Sequence, residues 1–537
     1  MRIPQLFSIA LLGCAACRSA QDYRIAADDE VYGLINDRRS QLFGEEGSFT
    51  IDPAEGSLRS QVIAGEIGEL NALTLAKCLD IAAENTREYQ SRKEALYRAA
   101  LDLTLERWRL GWQANLGGDI GIAGLGDTAS GATGGGGLGL TKVLGTGAQI
   151  FTDLGIAIAK DLSGGGGWTA QSSFGFLFSQ PLMRGAGGWI VYEDLTQAER
   201  TLVYEIRSFE RFRRELAVDL AARILRLLQN LNIIDNERRN YENVSKIRER
   251  NESLSEAGRM SDIQVDQARQ NEYTSQNRLI NARVSYYSLL DSFKLLLGLP
   301  MSVDLSVNPN ELESLAEIGK GLKGVDEQLA TELAYQNRED FKTIVDRVVD
   351  AERRSRVAAD ALRMRLDITS SVDVSSDARN PLKFNFQDVS WSLGLLIDLP
   401  IDRTPERNNY RSSLITWQSA ARNAAEFEDT IALSLRNELR ELESSAESRD
   451  IQAEAVVLAE KRVESATLNI EAGRAETRDL LEAQDALVSS RNLETRALID
   501  YTLAQLDLVL DMGILRVNEQ GILFESISSL RADEESK

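Results

Sequence analysis

Two stretches of 69 and 67 residues, Trp189 to Ala257 and Glu406 to Ala472, contain neither glycine nor proline, and each is followed by one glycine and a further 39 residues free of both. A helix interior loses about 1 kcal/mol to a glycine and about 3 to a proline, so their joint absence over such lengths marks continuous helix. At about 1.5 Å per residue each long run reaches roughly 100 Å. The same tetrapeptide closes both runs, Glu256-Ala257-Gly258-Arg259 and Glu471-Ala472-Gly473-Arg474. The shift of 215 positions that superposes them also brings Ala268 onto Ala483, Tyr286 onto Tyr501, Leu295 onto Leu510 and Gly298 onto Gly513. Earlier in the chain Ile81-Ala82-Ala83-Glu84-Asn85 with Tyr89 answers to Leu333-Ala334-Tyr335-Gln336-Asn337 with Phe341, displaced by 252. The chain is therefore a duplication, and the change of offset, 252 minus 215, leaves 37 surplus residues in the first copy.

The surplus falls where composition changes. From Gly111 to Gly188 the chain is glycine-rich, with Gly134 to Gly137 and Gly164 to Gly167 reading as flexible runs between alternating, strand-like pieces. Phe174, Phe176 and Phe178 share one face of such a strand, and Trp391, Leu393, Leu395, Ile397 and Leu399 share one in the second copy. Alternation over about ten residues suits a tilted strand crossing a bilayer. A soluble sandwich would need a covering layer that long helices cannot supply, and strand edges in lipid must be closed. About four good strands per chain are too few for a closed pore, so the barrel is expected to be shared among chains. The stretch Leu138 to Ala159, around Gly145-Thr146-Gly147, exceeds this pattern and is either an extracellular hairpin or additional wall.

The helices carry narrow apolar stripes, Leu202, Ile206, Phe209, Leu216, Leu220, Ile224 and Leu227 in one and Ile431, Leu435, Leu439 and Leu442 in another, with charged residues filling the rest. A hollow helical cylinder wet on both faces has this pattern; so does a solvated coiled coil. The net charge of -22 disfavours nucleic acid. No histidine is present, which removes the commonest general base and metal ligand. With no nucleotide-binding Gly-Lys-Ser/Thr motif either, the chain reads as a non-enzyme without cofactor. Cys14, Cys17 and Cys78 cannot form a disulfide framework, and Cys78 reads as a small buried apolar residue. Ile3 to Leu12 is too short to span a bilayer and reads as part of an export signal. Leu11-Leu12-Gly13-Cys14 resembles the lipobox of bacterial lipoproteins, which makes Cys14 a candidate lipid-attachment site; the alternative is an ordinary cleaved signal with an incidental cysteine.

These readings divide the chain into a signal or lipobox region at 1–17, an irregular leader at 18–65 and a first repeat at 66–300, with strands about 112–182 and long helices at 189–297. An inter-repeat segment follows at 301–324, then a second repeat at 325–514, with strands about 366–400 and long helices at 406–512, and a tail at 515–537.

Two repeats, the helix starts at Ile81 to Asn85 and Leu333 to Asn337, and the strand-to-helix return Ser179-Gln180-Pro181-Leu182-Met183-Arg184-Gly185 together resemble the outer-membrane efflux protein family, the TolC-like channels. Asp398-Leu399-Pro400-Ile401 is a weaker copy of that return, and the resemblance covers about 65 to 515. It implies an α+β membrane protein: a homotrimer whose chains share one outer-membrane β-barrel, four strands each, continuing into a long periplasmic α-helical barrel with two structural repeats per chain. It also implies a passive exit duct for efflux or type I secretion, set in outer-membrane lipid and working with a periplasmic adaptor and an inner-membrane transporter. Matching from Gly473, the acidic periplasmic gate falls on Asp479 and Glu482, the second a glutamate where members of the family typically carry aspartate. Gln264 and Gln267 hold the corresponding places in the first repeat, so only one copy would be charged. The hairpin tips at Gly258, Arg259, Gly473 and Arg474 become the expected adaptor-docking surface. The competing reading is an exported coiled-coil scaffold or tether without a pore, which leaves the alternating strands without a purpose.

Overall fold

The structure, a computed structural model, describes residues 19–44, 49–52, 56–125, 129–162, 167–318, 322, 325–377, 380–472, 474–518 and 521–524. In chain order the elements are α1 (Ala20–Phe43), α2 (Leu58–Ile63), β1 (Glu69–Leu73), α3 (Leu75–Asn85), α4 (Arg87–Leu110), then strands β2 (Gln113–Leu125), β3 (Ala129–Val143), β4 (Gln149–Asp161) and β5 (Thr169–Pro181). After the short α5 (Gly188–Val191) come the long pair α6 (Glu193–Glu256) and α7 (Asp262–Leu296), then β6 (Asp304–Val307), α8 (Glu311–Ile318), α9 (Glu327–Asn337) and α10 (Glu339–Asp360). The second copy continues with β7 (Arg365–Asp377), β8 (Asn380–Phe384), β9 (Ser390–Asp398), the long pair α11 (Thr404–Glu471) and α12 (Thr477–Asp511), and the hairpin β10 (Leu515–Asn518) and β11 (Gly521–Phe524).

The chain forms two compact units. One comprises Met1–Thr50, Ala95–Ile206 and Thr343–Ala424 and contains the large sheet. Its strands pair antiparallel in the order β2-β3-β4-β5-β7, and β9 lies along the far side of β7 from Arg365↔Asp398 to Asp373↔Ser390. The short β8 continues that last position along the end of β7. The wall thus has six strand positions, not the four expected. Leu138 to Ala159 is not a hairpin standing apart from the wall: it belongs to β3 and β4, which sit between β2 and β5. The surplus in the first copy is one hairpin of wall. Gly134 to Gly137 is likewise a stretch of β3 rather than a flexible run, held because neighbouring side chains lie across it: the Asp119 carboxylate would stand 2.9 Å from a Cβ on residue 135.

Residues 18–65 differ from the irregular leader expected, because α1 is a well-capped helix. Ser19 and Asp22 form a reciprocal capping box at its start, and Gly44 closes its end with a left-handed φ of 68° and an N–H donated to the Ser40 carbonyl. The signal was faint because so little of α1 is buried. Val31 and Ile35 face inward, Tyr32 meets Tyr97 edge-on at 5.9 Å, and the Tyr97 hydroxyl donates to Asp28 at 2.6 Å.

The other unit comprises Ile51–Glu94, Arg207–Lys342 and Ala425–Lys537. Its core gathers Leu73, Ile81, Leu220, Ile224, Phe293, Leu305, Leu508 and Leu515 from both repeats, and β1 pairs in parallel with β6. Away from this core the long helices bury single apolar side chains such as Val244, Leu279, Val456 and Leu481, interspersed with polar pairs: Asn236 donates to Asn492 at 2.9 Å, Asn251 to Thr477 at 3.2 Å, and Arg278 bridges to Asp485 at 2.6 Å. That is what narrow stripes leave available.

The repeated motifs meet at two equivalent joints. Asn85 ends α3, and Gly298, at φ 71°, lies so close that a Cβ there would collide with the Asn85 carbonyl oxygen. Asn337 ends α9, and at Gly513, φ 75°, a Cβ would stand 2.8 Å from the Asn337 carbonyl carbon and 2.9 Å from the Arg338 nitrogen. Left-handed φ together with backbone contact leaves glycine alone at both positions. Gly298→Ala and Gly513→Ala are each expected to cost about 1–3 kcal/mol and lower the midpoint of thermal loss of helical circular dichroism. Gly33→Ala, inside α1 with no neighbour within 4 Å, serves as the contrast and should stabilise by about 0.5–1 kcal/mol. Unchanged midpoints for both joint variants would contradict this account.

Candidate functional site

Strand alternation separates the sheet into two chemically opposite faces. One carries Leu116, Ile120 and Ile122 of β2, Leu138 and Leu140 of β3, Ile150 to Ile158 at alternate positions of β4, Phe174, Phe176 and Phe178 of β5, Ile368, Val372 and Val374 of β7, and Trp391 to Ile397 at alternate positions of β9. Registers such as Leu116↔Leu138↔Leu154↔Phe174↔Val374 keep these side chains in continuous rows. Ile120 is 94% exposed and Trp391 74%, so this face is open over most of its extent, with Val374 and Ser172 buried where the short β8 packs against β5 and β7. A contiguous uncovered apolar surface of this extent is the mark of a lipid or partner contact.

Two lysines on this face of β3 and β4 mark its ends. Lys142 of β3 lies 5.3 Å over the Trp112 ring, and Lys160 of β4 lies 5.5 Å over Trp168. Lys142 pairs with Ile150, so the two levels are ten residues apart along β4. At about 3.3 Å per residue and a tilt near 40°, that separation is about 25 Å in height, the thickness of an outer-membrane barrel's apolar band. Tryptophan and lysine together at both limits are what a membrane interface selects, an amphipathic ring beside an ammonium that reaches for water.

The opposite face is polar and acidic. On β2 to β5, β7 and β9 it bears Asp119, Asp153, Asp161, Asp367, Asp373, Asp377 and Asp398 against Arg365 alone. Arg365 is held by Asp367 at 2.7 Å and faces Asp398 across the register. In one row Asp153 and Asp373 flank Gly175, and both carboxylates lean over it, Asp373 within 3.3 Å of where a Cβ would stand. Glycine is required there because the neighbours occupy the space. These inward-leaning acids were not singled out from the sequence. The signal was available: each aspartate falls one residue out of phase with the Leu, Ile or Phe that define the other face.

The predicted tip and gate residues lie in the helical unit. At the first tip, Gly258 adopts φ 70°, Gly258 N–H donates to the Ser255 carbonyl and Arg259 N–H to the Leu254 carbonyl, both at 2.8 Å. At the second, Arg474 N–H donates to the Asn469 carbonyl at 2.8 Å, the same bond shifted by 215 positions. The repeated tetrapeptide thus encodes a repeated helix stop of Schellman type. Arg259 and Arg474 are exposed; Gly473, like Cys14, lies outside the described residues. Asp479 and Glu482 are both exposed and one helical turn apart, on the side of α12 away from the buried Leu480, Leu481 and Ala483. Asp479 also caps the helix, its carboxylate accepting the Glu476 N–H at 3.1 Å, and Glu482 pairs with Arg478 at 3.6 Å. Cys78 is buried and free, and burial pushes its thiol up to about 12.

A second acidic group lies within the helical unit. Asp511 bridges Arg211 at 2.9 Å and Arg338 at 3.3 Å, with Glu438 and Asp507 beside it. Burial, then the hydrogen bond and negative charge of Asp511, push the Glu438 carboxyl up to about 9. Burial works the same way on Asp511, but the Glu438 hydrogen bond and the charges of Arg338 and Arg211 outweigh it and hold that carboxyl below its usual value. One proton shared with two arginines nearby satisfies the pair.

No known protein family matches the sequence, and no curated protein does. Solved structures do match. CusC, whose crystal structures bear on transmembrane channel formation, superposes with a TM-score of 0.60 at 14% identity over 84% of this chain and 94% of that one. The outer membrane channel CmeC of Campylobacter jejuni gives 0.59 at 15% identity over 86% and 89%, and the outer membrane channel MtrE of Neisseria gonorrhoeae, in its open state, gives 0.58 at 14% over 82% and 88%. At such identities the likeness is one of fold. The chain has the fold of these outer-membrane channels, the fold implied by the resemblance of its repeats to the TolC-like family.

The acidic pair makes stability depend on pH with a definite sign. Glu438 is raised in the folded state, so its contribution is complete below the usual value of 4.5 and is lost as pH rises through about 9. Glu438→Gln, a permanent mimic of the protonated acid, should remove the decline in thermal midpoint between pH 7 and 10 that the parent shows. Parallel declines in the two proteins would exclude Glu438 as the titrating group.

Proposed function

We propose that this chain is the outer-membrane exit duct of a tripartite efflux or type I secretion system, a passive trimeric channel that extends into the periplasm. The observation that carries the reading is the two-faced sheet: an uncovered apolar face limited above and below by Trp–Lys pairs, backed by an acidic polar face. That arrangement serves a wall with lipid on one side and water on the other. A tether or scaffold has no use for it.

In this reading the acidic face lines the pore and favours cations over anions. Asp479 and Glu482 supply the periplasmic gate, six carboxylates from three chains around one axis, a narrower and stronger version of the same field. The Asp479 cap gives the gate a mechanical constraint: a helix whose first turn is closed by Asp479 moves as a unit, so opening is a tilt of α12 rather than a fraying of its end. The tips at Gly258, Arg259, Gly473 and Arg474 present cationic side chains to an adaptor, and an energised inner-membrane transporter supplies the direction. Cys14, if acylated, adds a lipid anchor of the kind that reinforces membrane binding.

Planar-bilayer reconstitution tests the proposal. The purified trimer should give discrete, cation-selective conductance; a protein that is not trimeric in detergent and conducts nothing would sink the channel reading. Asp479→Asn with Glu482→Gln should weaken cation preference and raise the frequency of open events, and unchanged selectivity and gating would remove the gate assignment while leaving the channel intact.

A further inference from the structure

Six strand positions present an arithmetic problem and its solution. Among the described residues nothing pairs with the outer edge of β2 or of β9, and the two do not pair with each other. Six strands are fewer than the eight of the smallest known membrane barrels, so the sheet does not close on itself. Edges left open in hydrocarbon would strand several backbone groups, each at a cost of several kcal/mol. Another copy of the same sheet meets every requirement of a partner. The count is even, so β2 and β9 run in opposite directions and a β9 edge meets the next β2 edge antiparallel. Both edge strands keep the same separation of faces, Leu116 and Ile120 on one, Leu393 and Leu395 on the other, so joining them continues the apolar surface without a break.

We infer that each β9 edge pairs with the β2 edge of a neighbouring copy, and that three copies, at six strands each, close an eighteen-stranded barrel. The inference rests on the trimeric channel reading and adds to it a calibre. For strands about 4.8 Å apart and tilted near 40°, eighteen strands enclose a barrel about 36 Å across between backbones, whereas four strands per chain would give about 24 Å. The inserted hairpin adds few large side chains to the lumen, Phe151 being the largest. Its inward positions include Gly135, Gly137, Gly139 and Gly155, which project nothing into the pore. The class of cargo that fits is correspondingly large: hydrated, bulky or folded solutes that a narrower mouth would exclude, with positive or neutral charge preferred by the acidic lining.

Two measurements on the membrane-inserted protein test this. Disulfide trapping in the full chain comes first: Asn115→Cys on β2 combined with cysteines placed singly along β9 at Gly394, Leu396 and Asp398, the same-face positions that a tilt near 40° brings level with it, should give covalent dimers and trimers and nothing larger. Asn115→Cys with Ser173→Cys on β5 should give no intrachain disulfide, because β3 and β4 stand between them. A disulfide within one chain between β2 and β5, or absence of every β2–β9 cross-link, would overturn the inference, as would a two-chain, twelve-stranded assembly. Second, neutral polymers of graded size added on the barrel side report its calibre through the conductance. Deleting Ala129–Asp161 joins β2 to β5 in the correct antiparallel sense and should narrow the barrel about 1.5-fold, so that the largest polymers entering the parent are excluded from the variant. An unchanged polymer cut-off in a conducting trimeric variant would overturn the inference and leave the channel reading standing; failure of the parent to conduct would sink that reading instead. Where the deletion does not fold, the trapping result on the full chain decides.

Discussion

Everything in the helical unit is arranged around two places where backbone touches backbone. The carbonyl of Asn85 occupies the volume a side chain at position 298 would need, and Asn337 with Arg338 does the same at position 513. Each contact joins the end of a short helix to the end of a long one and thereby sets the angle between them. Leu299 follows directly on the first joint and Ile514 on the second, both buried in the same core. A joint held by sterics of the main chain, with a left-handed glycine as its pivot, is stiffer than one held by side chains that can change rotamer. The remaining helix contacts mix buried apolar side chains such as Val244 and Leu481 with polar pairs, and these two points fix the angles at which the helices meet.

The sheet obeys a different constraint, imposed by what lies outside it. With most of its apolar face left open among the described residues, each strand is apolar on one side and polar on the other, and alternation at period two is how one backbone does both. Glycine has two uses here. It yields room where aspartates lean across the wall, as at Gly175, and it lowers the inward profile where the extra hairpin runs. Acidic residues share the polar face with only a few large apolar ones, Phe151, Leu177 and Leu396.

Much of this could be read from the residues. Runs without glycine or proline announced α6, α7, α11 and α12, and their observed ends fall within a few residues of the glycines that bound them. The offset between repeats measured the inserted hairpin to within a few residues before any strand was placed. The resemblance, however, argued for four strands, and glycine-rich sequence read as loop, because intrinsic preference is weak evidence where neighbours on both sides dictate the conformation. The helix α1 was missed for the converse reason: two buried residues make too faint a stripe to register beside Gly33. At the candidate gate, composition could place Asp479 and Glu482 on one face, but the cap that ties Asp479 to Glu476 depends on where α12 begins, a matter of one residue that periodicity does not resolve.

The antiparallel order of the wall has a consequence for how such a protein can change. Every helix that joins the sheet must do so at the same end of the strands, where α4 enters β2, β5 leaves toward α6, α10 enters β7 and β9 leaves toward α11. A single added strand would carry the next connection to the wrong end and detach a helix pair from its place. A hairpin returns the chain to where it started. Strand number can therefore be inherited in steps of two per chain: a hairpin can be gained or lost within the wall with every helix still joining the sheet at the same end.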